Sequence, residues 1–120
     1  MARVALAGTQ LARTHEGVEA HLLDLSLQGA RVAHAGILRP GARCLVHLPA
    51  ALGGLRLAAQ VLWCTIRGAE WQSDGGRHLR CHSGLWFTTM TEPQRAVLAG
   101  ILQQVSAEER LLLESYTRSG

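Results

Sequence analysis

The sequence predicts an all-β domain closed by one C-terminal helix. Three observations carry this. Through residue 88 the apolar residues come in short runs that alternate sides, the period of strands. Turn signals cut those runs at close spacing: Ser26-Leu27-Gln28-Gly29, Arg39-Pro40-Gly41, Gly53-Gly54 and Ser73-Asp74-Gly75-Gly76. From Thr91 the period changes to that of a helix. Short strands with such turns build a sandwich or a barrel.

Taken in order, Ala5 to Arg13 is a weak or bulged strand interrupted by Gly8, and His15-Glu16-Gly17 is a polar turn. Val18 to Leu25 is a strand with Val18, Ala20 and Leu22 on one face and Leu23 and Leu25 on the other. After the Ser26 turn, Ala30 to Ala33 continues as strand. In Arg43 to Pro49, Cys44, Val46 and Leu48 share one face, while Arg43, Leu45 and His47 share the other. Gly53-Gly54 makes a hairpin into a long strand, Leu55 to Ile66, with Leu57, Ala59, Val61 and Trp63 on one side. Arg67 to Arg80 is loop-like at its centre, around Ser73-Asp74-Gly75-Gly76, and Leu85 to Thr88 reads as a short strand. Alternation puts Trp63 and Phe87 in the core and leaves Trp71 exposed in the loop.

Thr91 and Gln94 form a capping box, with Pro93 in the first turn where its missing N–H is harmless. Leu98, Ile101, Leu102 and Val105 then share one helical face. Ser106 and Glu109 repeat the capping pattern, so the helix breaks and restarts. The expected division is residues 1–105 as domain and closing helix, and 106–120 as a helical extension with a frayed tail. Leu111-Leu112-Leu113 either meets a partner or packs back.

Composition narrows the function. The chain has 120 residues, 48% hydrophobic and 18% charged, which suits one self-folding domain and not a disordered chain. All 12 basic residues are arginine, and the net charge is +3. Residues 1–60 set six arginines against three acids, and residues 61–120 set six against six, so the surplus lies in the first half. Arginine forks suit phosphate and guanine, but so small a surplus does not make a non-specific nucleic-acid binder. No apolar run reaches the ~20 residues of a membrane span, and the first 13 residues make a poor signal peptide. Three cysteines without paired spacing fit reduced thiols. A cytoplasmic protein without a membrane partner is expected.

His78-x-x-Cys81-His82, Cys44-x-x-His47 and Cys64 invite a zinc reading. Residues three apart on a strand point to opposite faces, so no metal site is expected. Neither a nucleophile elbow nor a glycine-rich phosphate loop before a helix is present. The expectation is therefore no enzymatic activity and no cofactor.

The informative segment is Asp24-Leu25-Ser26-Leu27-Gln28-Gly29. An ionised Asp offers acceptors only, and Ser offers a donor and acceptors. Glycine permits positive φ and close approach to the backbone. Alone, the hexapeptide reads either as a turn bonded to its own backbone or as a ligand loop.

In context, the chain resembles the PilZ domain family, bacterial receptors for cyclic di-GMP. The resemblance covers nearly the whole chain. It rests on Asp24-x-Ser26-x-x-Gly29 after a strand, on Val61-Leu62-Trp63, on Gly84-Leu85-Trp86-Phe87, and on a closing helix after Thr91. It implies a six-stranded antiparallel split β-barrel with a C-terminal α-helix. It also implies a cyclic di-GMP-binding effector or adaptor in bacterial second-messenger signalling, controlling motility, exopolysaccharide or biofilm. By the same resemblance, Asp24 and Ser26 hold a guanine edge and Gly29 keeps the turn open to it. The family adds an Arg-x-x-x-Arg pair for phosphate and the Hoogsteen edge of guanine. No such pair lies upstream of Asp24; Arg3 stands about where the second arginine falls, and its partner would fall before Met1. Arg31, two residues after Gly29, completes the candidate set Asp24, Ser26, Gly29, Arg3 and Arg31. The alternative is a degenerate PilZ domain that does not bind the nucleotide and meets a protein partner through the barrel surface or the C-terminal helix.

Overall fold

The computed structural model describes residues 3–7, 18–71 and 75–104. The expectations for residues 8–17, for 72–74 and from Val105 onward, including the leucine run, lie outside the described residues. The strands are β1 (Arg3–Ala7), β2 (Val18–Leu25), β3 (Gly29–Ala35), β4 (Arg43–His47), β5 (Arg56–Trp71) and β6 (Arg77–Thr89). A 3-10 turn, Ala50–Leu52, joins β4 to β5. The helix α1 covers residues 92–104 of the described chain. The strands pair antiparallel in the order β1-β2-β3-β6-β5-β4, and β1 pairs with β4 as well as with β2. The fold is thus mainly antiparallel β-sheet with a C-terminal helix.

Alternation builds the core as the sequence predicts along most strands. Cys44, Val46 and Leu48 are buried, as are Leu57, Ala59 and Val61, and Val32 lies opposite them with Leu85 and Phe87. His34 and Ser83 are the buried polar residues among those described, and they satisfy each other: His34 Nε2 lies 2.6 Å from Ser83 Oγ. After the 3-10 turn the chain reverses through Gly53 (φ 83°) and Gly54 (φ 62°), conformations that glycine adopts without strain.

Of the four register shifts among the described residues, two one-residue bulges lie beside the Ser26 turn and change the phase of the pattern there. In β2, Leu22 stands opposite Val32, and the next pair is Asp24 with Arg31, so Leu23 is the extra residue. Strict alternation would put Asp24 on the face of Ala20 and Leu22. The bulge turns it outward and brings Leu25 onto the core, against the expectation that Leu25 faces away. In β5 the pairs are Val61 with Leu85, then Trp63 with Gly84, so Leu62 is extra. Trp63 therefore leaves the core face, where alternation had put it, and Cys64 packs inward instead.

The strands on either side of the expected loop centre run further than the sequence pattern shows, β5 to Trp71 and β6 from Arg77. β5 and β6 form one long hairpin, paired out to Trp71 and Arg77. Both faces of its outer part are polar or exposed, so it shows no alternation to read. Trp71 is exposed, as expected, but at the end of β5.

The capping box forms. Thr91 N–H donates to Gln94 Oε1 (3.0 Å), and Gln94 N–H donates to Thr91 Oγ1 (3.2 Å). Gln94 also donates through Nε2 to the Arg56 carbonyl (3.0 Å), fixing α1 to the start of β5. Leu98 is fully buried and Leu102 packs beside it.

Candidate ligand-binding site

The turn after β2 is organised by its own serine. Ser26 N–H donates to the Gly29 carbonyl (2.9 Å). Ser26 Oγ accepts from the N–H groups of Gln28 and Gly29, both at 3.2 Å, and donates to the Gly29 carbonyl at 3.3 Å. The hydroxyl is thus engaged in holding the turn. The Gln28 carbonyl accepts from Phe87 N–H (2.8 Å), which ties the turn to β6.

Gly29 has a different role from the open turn expected of it. It is buried, and positive φ is not its reason for being glycine. A Cβ there would run into the Leu85 carbonyl oxygen. The close approach of β3 to β6 is what excludes a side chain.

Asp24 and Arg31 face each other across β2 and β3, with Arg31 Nε 3.3 Å from Asp24 Oδ2. Their side chains are 60% and 57% exposed, so this pair contributes little to stability and opens at little cost. A carboxylate accepts about four hydrogen bonds, so one arginine leaves it capacity for a ligand.

One row runs across four strands: Asp24, Arg31, Gly84, Trp63. The Trp63 indole lies over Gly84, in space a Cβ would occupy. Trp86 is exposed beside it. A shallow cleft of about 230 Å³ is lined by Asp24, Ser26, Gly29, Arg31, Trp63 and Trp86. It offers a carboxylate, a guanidinium and two aromatic faces, which suits a planar ring carrying both donors and negative charge.

Four of the five predicted residues therefore meet in one place. The backbone of Arg3 stands opposite His21, three residues from Asp24 along β2, or roughly 10 Å. Trp63 and Trp86 stand outside the predicted set of site residues, and strict alternation takes Trp63 as core. Trp86 was legible, because it alternates with the apolar Leu85 and Phe87; Trp63 was hidden by the bulge.

His34, buried against Ser83, has its pKa lowered from the ordinary 6.5, chiefly by burial and in part by His82. Backbone hydrogen bonds oppose the shift without reversing it. The unfolded chain then takes up the proton at a higher pH than the folded one. The stability His34 contributes is complete above the ordinary value and drains away as pH falls below it. The urea midpoint should fall between neutral pH and about pH 5, and His34→Gln should flatten that slope. An unchanged slope in the variant would remove His34 as its source.

Burial pushes the Cys44 thiol up to about 11, and it raises Cys81, with neighbouring Cys64 adding to the effect. These thiols stay protonated and poorly nucleophilic. Among the described residues no group of three or more His, Cys, Asp or Glu is arranged to hold a metal ion. None of the described helices is long and apolar enough to cross a membrane.

An antiparallel sheet with a C-terminal helix, carrying an Asp-x-Ser-x-x-Gly turn on its outer face, defines a small all-β module built around that turn. The chain belongs to the PilZ domain family, whose model matches residues 2–104. Its fold is similar to the PilZ domain with c-di-GMP of YcgR from Escherichia coli. That match has a TM-score of 0.65 and 19% sequence identity, and covers 92% of this chain and 88% of the other. No curated protein matches the chain by sequence.

Proposed function

We propose that this chain is a cyclic di-GMP-binding effector or adaptor domain of bacterial second-messenger signalling, acting in the cytoplasm by binding and not by catalysis. One observation carries the reading: in a PilZ-family chain, Asp24 of the family turn shares a cleft with Arg31 and two exposed indoles. The Asp24 carboxylate takes the N1–H and N2–H donors of a guanine. Arg31, released from Asp24, grips the Hoogsteen edge or a phosphate bidentately. Ser26 keeps the turn in shape, Gly29 keeps β3 against β6, and Arg3 supplies a phosphate contact from β1. The scaffold is a six-stranded split barrel over residues 1–105, a reading supported by the pairing of β1 with both β2 and β4. Residues 106–120 are an extension available to a partner.

Calorimetric titration with cyclic di-GMP tests this. Binding is expected at micromolar protein, and Asp24→Ala should weaken it roughly tenfold to a hundredfold. No heat at high micromolar protein would overturn the reading, and unchanged affinity in the variant would remove Asp24 from the site.

A second reading is a nucleotide-independent interaction module. It is favoured by the internal bonds that already engage Asp24 and Ser26, and by the exposed Leu62, Trp63 and Trp86. Capture of one specific protein irrespective of added nucleotide would support it; capture only with nucleotide would count against it.

A further inference from the structure

One row along from Asp24 and Arg31, the same outer face carries two histidines. His21 on β2 stands opposite Ala33 on β3, and Ala33 stands opposite His82 on β6. These residues alternate with the buried Ala20, Val32, Cys81 and Ser83, so they face outward. Ala33 has only a methyl group, which leaves the space between the two imidazoles open. Their backbones are two strand spacings apart, roughly 10 Å, a gap that two histidine side chains close around a small anion. A cleft of about 450 Å³ lies there.

The other charges in that cleft cancel. Arg67 and Glu70 come from β5, Arg80 from β6 and Glu19 from β2, two cations against two anions. Arg80 Nε lies 3.3 Å from Glu70 Oε1, so that pair is already matched. Burial favours the neutral thiol of Cys81 and the neutral ring of His34. Arg3 stands opposite His21 on β1. Among the described side chains lining the cleft, the charges other than those of His21 and His82 therefore sum to zero.

We propose that His21 and His82 form an anion subsite that takes a phosphate group, and that it fills as their imidazoles become protonated. Both rings donate to an anion when charged; neutral, each has one donor and no charge. The subsite rests on the register and on the charges. That its phosphate belongs to cyclic di-GMP rests on the function proposed above. Asp24 and His21 are three residues apart, so a nucleotide with its guanine on Asp24 spans both with its own phosphate.

The test follows the histidine ring signals by NMR at about pH 6 and pH 8, with inorganic phosphate, guanosine monophosphate and cyclic di-GMP added in turn to the full chain. The His21 and His82 rings are expected to move with phosphate at the lower pH only, and His78 is expected to stay still. Calorimetry should show cyclic di-GMP binding roughly tenfold tighter at the lower pH. The His21→Gln, His82→Gln double variant should lose that difference, and His82→Arg should keep tight binding at the higher pH. Ring shifts with phosphate and the mononucleotide, but no binding of cyclic di-GMP, would uphold the subsite and overturn the functional reading. Cyclic di-GMP binding without ring shifts or pH dependence would overturn the subsite and uphold the function. Silence in every arm would overturn both.

Discussion

Gly29→Ala should be the most damaging single-methyl change in the described chain. Its Cβ would meet the Leu85 carbonyl oxygen, a backbone atom at the start of the β3–β6 ladder that has no rotamer to yield. To make room the two strands must part at the pair of Gly29 with Trp86, and the Phe87 N–H bond to the Gln28 carbonyl stretches with them. Overpacking of this kind costs about 3 kcal/mol or more where backbone has to move. That is a large part of the ~5–15 kcal/mol a domain has in hand. Two other glycines calibrate the effect. At Gly36 a Cβ meets nothing, but φ is 80°, so Gly36→Ala should cost only about 1 kcal/mol of backbone strain. At Gly100, on the exposed side of α1, a Cβ also meets nothing, and Gly100→Ala should stabilise by about 1 kcal/mol through helix propensity. Urea midpoints for the three variants read the ranking directly. A Gly29→Ala midpoint no lower than that of Gly36→Ala would mean that β3 and β6 are not held at the spacing described.

How much of this was legible beforehand depended on whether the local period stayed constant. Where it did, the pattern located the element: Cys44, Val46 and Leu48 on β4, or the Thr91–Gln94 box and Leu98 on α1. Where a bulge intervened, the same rule gave the wrong face. Period two assumes one residue per step, and a bulge inserts a residue without a partner. Leu25 and Trp63 were misplaced for that one reason. The outer hairpin was missed for another, since a strand with no buried face leaves no alternation. The site shows both effects. Asp24, Ser26, Gly29 and Arg31 are close in sequence, so a local motif sufficed to collect them. Trp63 is distant in sequence and its outward turn depends on Leu62, so only the register reveals it beside Asp24. The role of Gly29 was equally hidden, because what it avoids is Leu85, 56 residues away in sequence.

Leu25→Asp should cost far more than Leu23→Asp, although strict alternation would put both residues on the same outer face. With Leu23 unpaired, Asp24 takes the outward position opposite Arg31 and Leu25 packs against the core. A carboxylate at position 25 is therefore forced against apolar side chains without a partner, which costs about 3 kcal/mol. Leu23 is half-buried and does not pack against the core cluster, so Leu23→Asp should cost about 1 kcal/mol. Deletion of Leu23 is the second control. It joins Leu22 directly to Asp24, and regular alternation then keeps Asp24 outward and Leu25 inward, so the deletion should also cost about 1 kcal/mol and keep binding at the turn. Midpoints by tryptophan fluorescence and circular dichroism separate these outcomes. Equal midpoints for Leu25→Asp and Leu23→Asp would show that the bulge does not orient this end of β2. A mild deletion beside a severe Leu25→Asp would show instead that Leu23 is spare to the pairing, and that counting β2 without it gives the phase that sets Asp24 on the surface opposite Arg31.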